Sequence, residues 1–149
     1  MNSIFNPEDY RDIVSRIEKL TAGSARQWGK MEPAQMLAHC SAAVRVAVGD
    51  VKLDRLFIGR IIGPFARKNY VGPNPFKHGS PTAKEFIISD TREFEKEKQE
   101  LLGLVKRLHE GGEKNVTPHP HGFFGTLTPQ EWGLTQWKHL DHHLRQFGA

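Results

Sequence analysis

The residues best equipped for chemistry in this chain are histidines. Three stand close together at 139, 142 and 143 in the stretch WGLTQWKHLDHHLRQF, and a fourth, His39, interrupts the apolar run MLAHCSAAV. If the C-terminal stretch is helical, His139 and His143 differ by a rise of ~6 Å and a turn of only ~40°, so both imidazoles can reach one ion. On a helical wheel, Gly133, Trp137, Leu140, Leu144 and Phe147 form an apolar stripe that must face a core. Beside it run Trp132, Gln136, His139, His143 and Gln146, whereas Glu131, Thr135, Lys138, His142 and Arg145 form a polar stripe predicted to face water. The wheel therefore separates His142 from the pair. A zinc-protease HxxxH carries a glutamate after its first histidine, but here Leu140 holds that place, so the spacing gives a bidentate half-site without that general base.

A catalytic zinc-type centre commonly uses three protein ligands and keeps a fourth position for water or substrate. Cys40 could supply a soft third ligand, yet a lone cysteine among small apolar residues reads as packing. His39 is the better candidate, because an unpaired imidazole midway along a buried helix would be an unsatisfied polar group. Gln136 and Gln146, on the stripe of the paired histidines, could orient the imidazoles. His121, in the segment before the last helix, is a further pocket candidate by nearness in sequence.

Four long helices must position these groups. The first is announced by Asn6 as cap, Pro7 at the first helical position and Glu8 and Asp9 against the positive end of the helix dipole. Its apolar face is Tyr10, Ile13, Val14, Ile17 and Leu20, with Gly23 placed to stop it. A second, small and apolar on most sides, runs from Pro33 to about Val48 and reads as well buried. The third opens at Asp90 and Glu93 in capping-box spacing and ends at the His109–Gly112 stop; Phe94, Leu101, Val105 and Leu108 face inward, with Glu93, Lys96, Glu97 and Glu100 outward. The last has Thr128 as cap, Pro129 first and Glu131 three beyond the cap, and is expected to reach Phe147.

Residues 49 to 89 form a long irregular crossover between the second and third of these helices. A short helix near 53 to 62 is expected to break at Gly63 and Pro64, followed by extended, turn-rich chain. Basic residues mixed with Phe57, Ile61 and Phe65 would suit a membrane surface, but a short, proline-broken helix covering the bundle is the simpler reading. The pattern predicts an all-α four-helix bundle in one domain over residues 1–149.

Composition narrows the function classes. A single cysteine among 149 residues excludes an internal disulfide, and the polar, acidic N-terminus MNSIFNPEDY lacks the form of an export signal, so a reducing cytoplasm is expected. No apolar run approaches the ~18 residues of a spanning helix. The formal net charge is +4, yet the cluster Arg55, Arg60, Arg67 and Lys68 lacks both aromatic interleaving and any helix-turn-helix or zinc-finger spacing. Neither nucleic acid nor membrane is the expected partner.

The combination of one histidine on the second long helix and HxxxH on the fourth, His39 with His139 and His143, resembles the DinB-like superfamily of metal-binding four-helix bundles. The segments RQWGKMEPAQMLAHC and FFGTLTPQEWGLTQWKHLDHHLRQFG look like a domain-of-unknown-function branch of it. The resemblance implies up-down-down-up topology, a divalent ion, usually zinc or nickel, at one end of the bundle, and often a homodimer. Similar proteins include transferases that attach a low-molecular-weight thiol, such as bacillithiol or mycothiol, to small electrophiles. Two function classes follow. One is a metal-dependent enzyme, a thiol S-transferase or hydrolase acting on a small-molecule substrate; the other is a non-catalytic metal- or ligand-binding bundle.

Overall fold

The computed structural model describes residues 1–149 and contains five α-helices and no strands: α1 (Pro7–Lys19), α2 (Pro33–Ala47), α3 (Phe57–Tyr70), α4 (Phe94–Gly111) and α5 (Pro129–Gln146). Four of them form a ring in which α1 and α2 each pack against both α4 and α5. The crossover from α2 to α4 carries α3 and a 3-10 turn at Lys84–Phe86.

Local signals account for the helix starts. The Asn6 side chain accepts from the backbone N–H groups of Glu8 and Asp9, and Thr128 and Glu131 form a reciprocal capping box. A second box at Glu32 and Gln35 opens α2. At α4 the expected Asp90 box is absent: Glu93 is the cap residue without a side-chain bond, and Arg92 instead binds the carboxylates of Asp90 and Glu97. That contact draws Glu97 into the buried set, although the sequence pattern placed it outward.

Helix ends answer to tertiary partners. α1 stops at Lys19, four residues before Gly23, with Leu20 already extended. The Lys98 amine on α4 donates to the carbonyls of Glu18 and Leu20, so a neighbouring helix takes over the end-capping. Ile13, Ile17 and Leu20 then meet Leu37, Val44, Leu101, Val105, Leu140 and Leu144 in one core. Between α1 and α5, Arg16 and Arg145 both bind Asp141. The N-terminal segment lies across α5 at Gly133, whose carbonyl accepts from the Ile4 N–H; a Cβ there would collide with Ser3 and the Phe5 ring.

The expected break at Gly63–Pro64 does not occur. α3 runs unbroken for 14 residues with Pro64 inside it. Gly59 and Gly63 lie against the backbone of Phe123, where a Cβ on Gly59 would approach the Phe123 carbonyl to 2.6 Å. Farther along, Arg67 is bonded to Glu131 at 2.6 Å and Tyr70 stacks on Phe124 at 3.9 Å. Both halves of α3 are thus anchored to the segment leading into α5 and to its first turn. Pro64 itself is exposed, so the backbone bond it forfeits lies on the solvent side.

The covering position of α3 overturns the water-facing assignment of one α5 stripe. Thr135 is fully buried and Lys138 is 4 % exposed. The Lys138 amine donates to the carbonyls of Asn69, Tyr70 and Gly72 at 3.3, 2.8 and 2.7 Å, closing the end of α3 and the turn beyond it. Lys98 and Lys138 therefore play the same part, each satisfying helix-terminal carbonyls on another segment.

Candidate functional site

His39 faces α5 from the middle of α2, where it is 5 % exposed. Opposite it, the one-turn spacing on α5 brings His139 and His143 to the same place. Their ring centroids are 4.7 Å apart, and His39 lies 4.9 Å from His139 and 4.6 Å from His143. One ring nitrogen of each lies within 4.8 Å of the others. His39 and His143 are buried and His139 is partly exposed. Cys40 is absent from the group; its thiol lies 3.7 Å from the Met36 sulfur in the core, and burial pushes it up from its ordinary range.

Hydrogen bonds fix the three tautomers. His39 Nδ1–H donates to the Phe86 carbonyl at 2.7 Å, which leaves Nε2 with its lone pair. His143 Nδ1–H donates to Gln146 Oε1 at 2.8 Å, and the same amide donates through Nε2 to the Trp28 carbonyl at 3.0 Å. That second bond sets the orientation of the amide and so the tautomer of His143. The Nε2 atoms of His39 and His139 are 3.0 Å apart, and since His39 Nε2 bears a lone pair, His139 Nε2–H donates to it. Two nitrogens on a tetrahedral zinc-sized ion at ~2.05 Å would stand about 3.3 Å apart, close to the His39–His139 separation, while the group as a whole spans up to 4.8 Å and would have to draw in around an ion.

His139 is the exception. Its Nδ1 is buried without a partner, and so is Gln136 Oε1 three residues earlier on the same helix. The pair repeats the composition and spacing of His143 with Gln146, an imidazole Nδ1 and an amide oxygen three residues away, but in the opposite chain direction.

Electrostatics keep the cluster neutral. Desolvation lowers the pKa of His39 against the raising effect of the Phe86 carbonyl. Burial, then the charge of His143 and His39, depresses His139 well below its ordinary value. His143 is pulled down to about 3, by desolvation first and by His39 next. No carboxylate belongs to the cluster. Three neutral imidazoles with converging ring nitrogens and no carboxylate are a donor set for a borderline divalent ion rather than for calcium or magnesium.

His121 is not among the three. Its Nδ1 accepts from the N–H groups of Phe123 and Phe124, so the proton resides on Nε2. Desolvation and then the charge of Arg55 lower its pKa to about 4, and it packs between Tyr70, Phe124 and Trp132. This arrangement makes it a hydrogen-bond donor and a turn-former. His142 is separate from the group, as the wheel required, but it does not face open water. It is half-buried among Trp28, Phe76 and His78 at centroid distances of 5.4, 6.3 and 5.9 Å, because the crossover folds over α5.

Two orienting groups escaped the sequence reading, the backbone carbonyls of Phe86 and Trp28. Every residue has a carbonyl, so no residue type marks them. Only the folding of the 3-10 turn onto α2 and of the α1–α2 loop onto α5 brings them to the imidazoles.

Clefts of about 320 and 390 Å³ lie elsewhere, one lined by Val48, Arg107, Leu108, Gly111 and Asn115, the other bordered by Met1, Val71, Gln130 and Leu134. Neither includes a residue of the histidine cluster. Comparison with curated proteins and with solved structures gave no match. A family profile described as a protein of unknown function, DUF1569, matches residues 5–149, nearly the whole chain, so the chain belongs to the DUF1569 family.

Proposed function

We propose that His39, His139 and His143 hold one divalent ion, zinc or nickel, and that the protein is a metal-dependent enzyme of DinB-like type acting on a small molecule. One observation carries the reading: two buried imidazoles are locked by Phe86 and Gln146 into the tautomer that frees Nε2, and both belong to the same three-nitrogen group. A bound divalent ion would supply Lewis acidity, lowering the pKa of a thiol or water in the remaining position toward neutrality.

Three neutral imidazoles would leave the charge of a bound ion undiminished, which would favour an anionic sulfur or oxygen ligand. Gln136 would complete the set in this reading: on metal binding His139 would give up its Nε2–H bond to His39, and the orphaned Gln136 oxygen three residues away would accept from its Nδ1–H after a side-chain shift. His121 Nε2–H is a neutral donor across the working pH range. Cys40 is no nucleophile, being buried with a raised pKa. The preferred reaction is transfer of a low-molecular-weight thiol, such as bacillithiol or mycothiol, onto a small electrophile, a substrate class that rests on the resemblance.

A second reading is a non-catalytic metal- or ligand-binding bundle, since a three-histidine group by itself does not specify a reaction. Elemental analysis of the purified protein, combined with conjugation of a test electrophile by bacillithiol, mycothiol, glutathione and cysteine with and without metal, separates the two. One equivalent of metal and thiol-dependent turnover are expected. Metal without turnover would move the assignment to the second reading, and wild-type metal content in His143→Ala would sink both.

A further inference from the structure

α3 is turned inside out relative to the other helices. Its small residues, Gly59 and Gly63, face the protein against Phe123, while Phe57, Ile58, Ile61, Ile62 and Phe65 lie on the far side. Phe57 is 78 % exposed and Phe65 81 %, and with Leu56 the face accounts for six of the nine exposed large hydrophobic residues in the chain. At 100° per residue, Ile61 and Phe65 point nearly opposite the glycine pair, so the apolar side is the outermost side of the helix. A contiguous apolar face of this kind marks an interaction surface.

Charge identifies what fits it. Residues 51 to 80 hold six Lys/Arg (Lys52, Arg55, Arg60, Arg67, Lys68 and Lys77) against one acid, Asp54. Elsewhere the counts are 15 Lys/Arg and 16 Asp/Glu, so the whole positive excess of the protein resides in the segment bearing this helix. α3 itself contains no acid; Arg60 and Lys68 flank its apolar face without an ion-pair partner, and Arg67 is bonded to Glu131. A second copy laid on the same face would bring like charges together. We propose that α3 docks the protein onto an anionic lipid surface, with Phe57, Ile61 and Phe65 entering the headgroup–acyl boundary and Arg60 and Lys68 meeting lipid phosphates. A basic helix with an apolar face lies in the interface plane. At 14 residues α3 is about 21 Å long, and no helix of this protein is long and apolar enough to cross a membrane, so it lies on the surface and does not span it. The uninterrupted course of α3 through Pro64 removes the proline break that had made a membrane-surface role the poorer reading of this segment.

The test is flotation of the full-length protein with phosphatidylcholine vesicles, with and without phosphatidylglycerol, together with sedimentation velocity in the absence of lipid. Wild type is expected to float with anionic vesicles and to be released by salt. Phe57→Glu with Phe65→Glu abolishes flotation; both side chains are exposed, so the fold is retained, as circular dichroism would check. Arg60→Gln with Lys68→Gln weakens binding roughly 25-fold, at about fivefold for each basic residue near an anionic surface. Failure of wild type to bind anionic vesicles, or equal binding to neutral ones, overturns the proposal. So does a lipid-free dimer that Phe57→Glu with Phe65→Glu dissociates, which would assign the face to a second copy.

Discussion

Replacing Gln146 by leucine tests the histidine cluster without touching a proposed ligand. Gln146 is 4 % exposed; its Oε1 accepts from His143 Nδ1 at 2.8 Å and its Nε2 donates to the Trp28 carbonyl at 3.0 Å. Leucine preserves bulk but leaves the His143 N–H and the Trp28 carbonyl unpaired, which costs the apoprotein about 1–3 kcal/mol. It also releases the His143 tautomer, and loss of such an orienting partner weakens metal binding ~10–100-fold. At a free metal concentration of 100 times the wild-type Kd, the ion stabilises wild type by about 2.7 kcal/mol. For a chain of this size that corresponds to a Tm rise of roughly 5–10 °C. With the weakened Kd, the same metal concentration gives only ~0.4–1.4 kcal/mol, a rise of roughly 1–5 °C. The assay is thermal denaturation with and without zinc, and the Kd is measured by competition with a chelator. Gln146→Glu keeps an acceptor for Nδ1 and should recover most of the affinity, which separates orientation from packing. If Gln146→Leu binds within about threefold of wild type while His143→Ala does not bind, the tautomer argument is wrong.

His142→Ala should retain a full equivalent of metal, since His142 packs with Trp28, Phe76 and His78 outside the ligating group; metal analysis showing a loss as large as in His139→Ala would place it in the site. For His121, whose pKa falls from 6.5 to about 4 on folding, the neutral form is favoured in the folded state. Its contribution to stability is complete above pH 6.5 and is lost as pH drops toward 4, at most on the order of 3 kcal/mol. His121→Asn keeps an acceptor for the Phe123 and Phe124 N–H groups, so urea unfolding of the two proteins should show a shallower acid decline in the variant; parallel declines would refute this. Lys138→Met strands the carbonyls of Asn69, Tyr70 and Gly72, and hydrogen exchange in α3 should accelerate while α1 and α4 keep their protection.

Much of the protein was legible in the chain because it depends on short-range chemistry. The Asn6 and Thr128 caps, the prolines at helix starts and the apolar periodicity set α1, α2, α4 and α5 to within a few residues, since the first turn and the buried stripe are decided by neighbours in sequence. Helical repeat alone put His139 beside His143 and kept His142 out of the three-nitrogen group, although its ring touches that of His143. Tertiary structure decided what depends on distant segments. Lys98 ended α1 before Gly23, and docking of Gly59 and Gly63 on Phe123 carried α3 through Pro64. Its far end then covered Thr135 and Lys138, which a wheel drawn for an isolated helix had assigned to water. The histidine cluster divides along the same line. Residue type and spacing name its three members, but the nitrogen that His39 and His143 turn inward is set by the carbonyl of Phe86 and, through Gln146, that of Trp28, which acquire their roles only when distant segments close around α2 and α5.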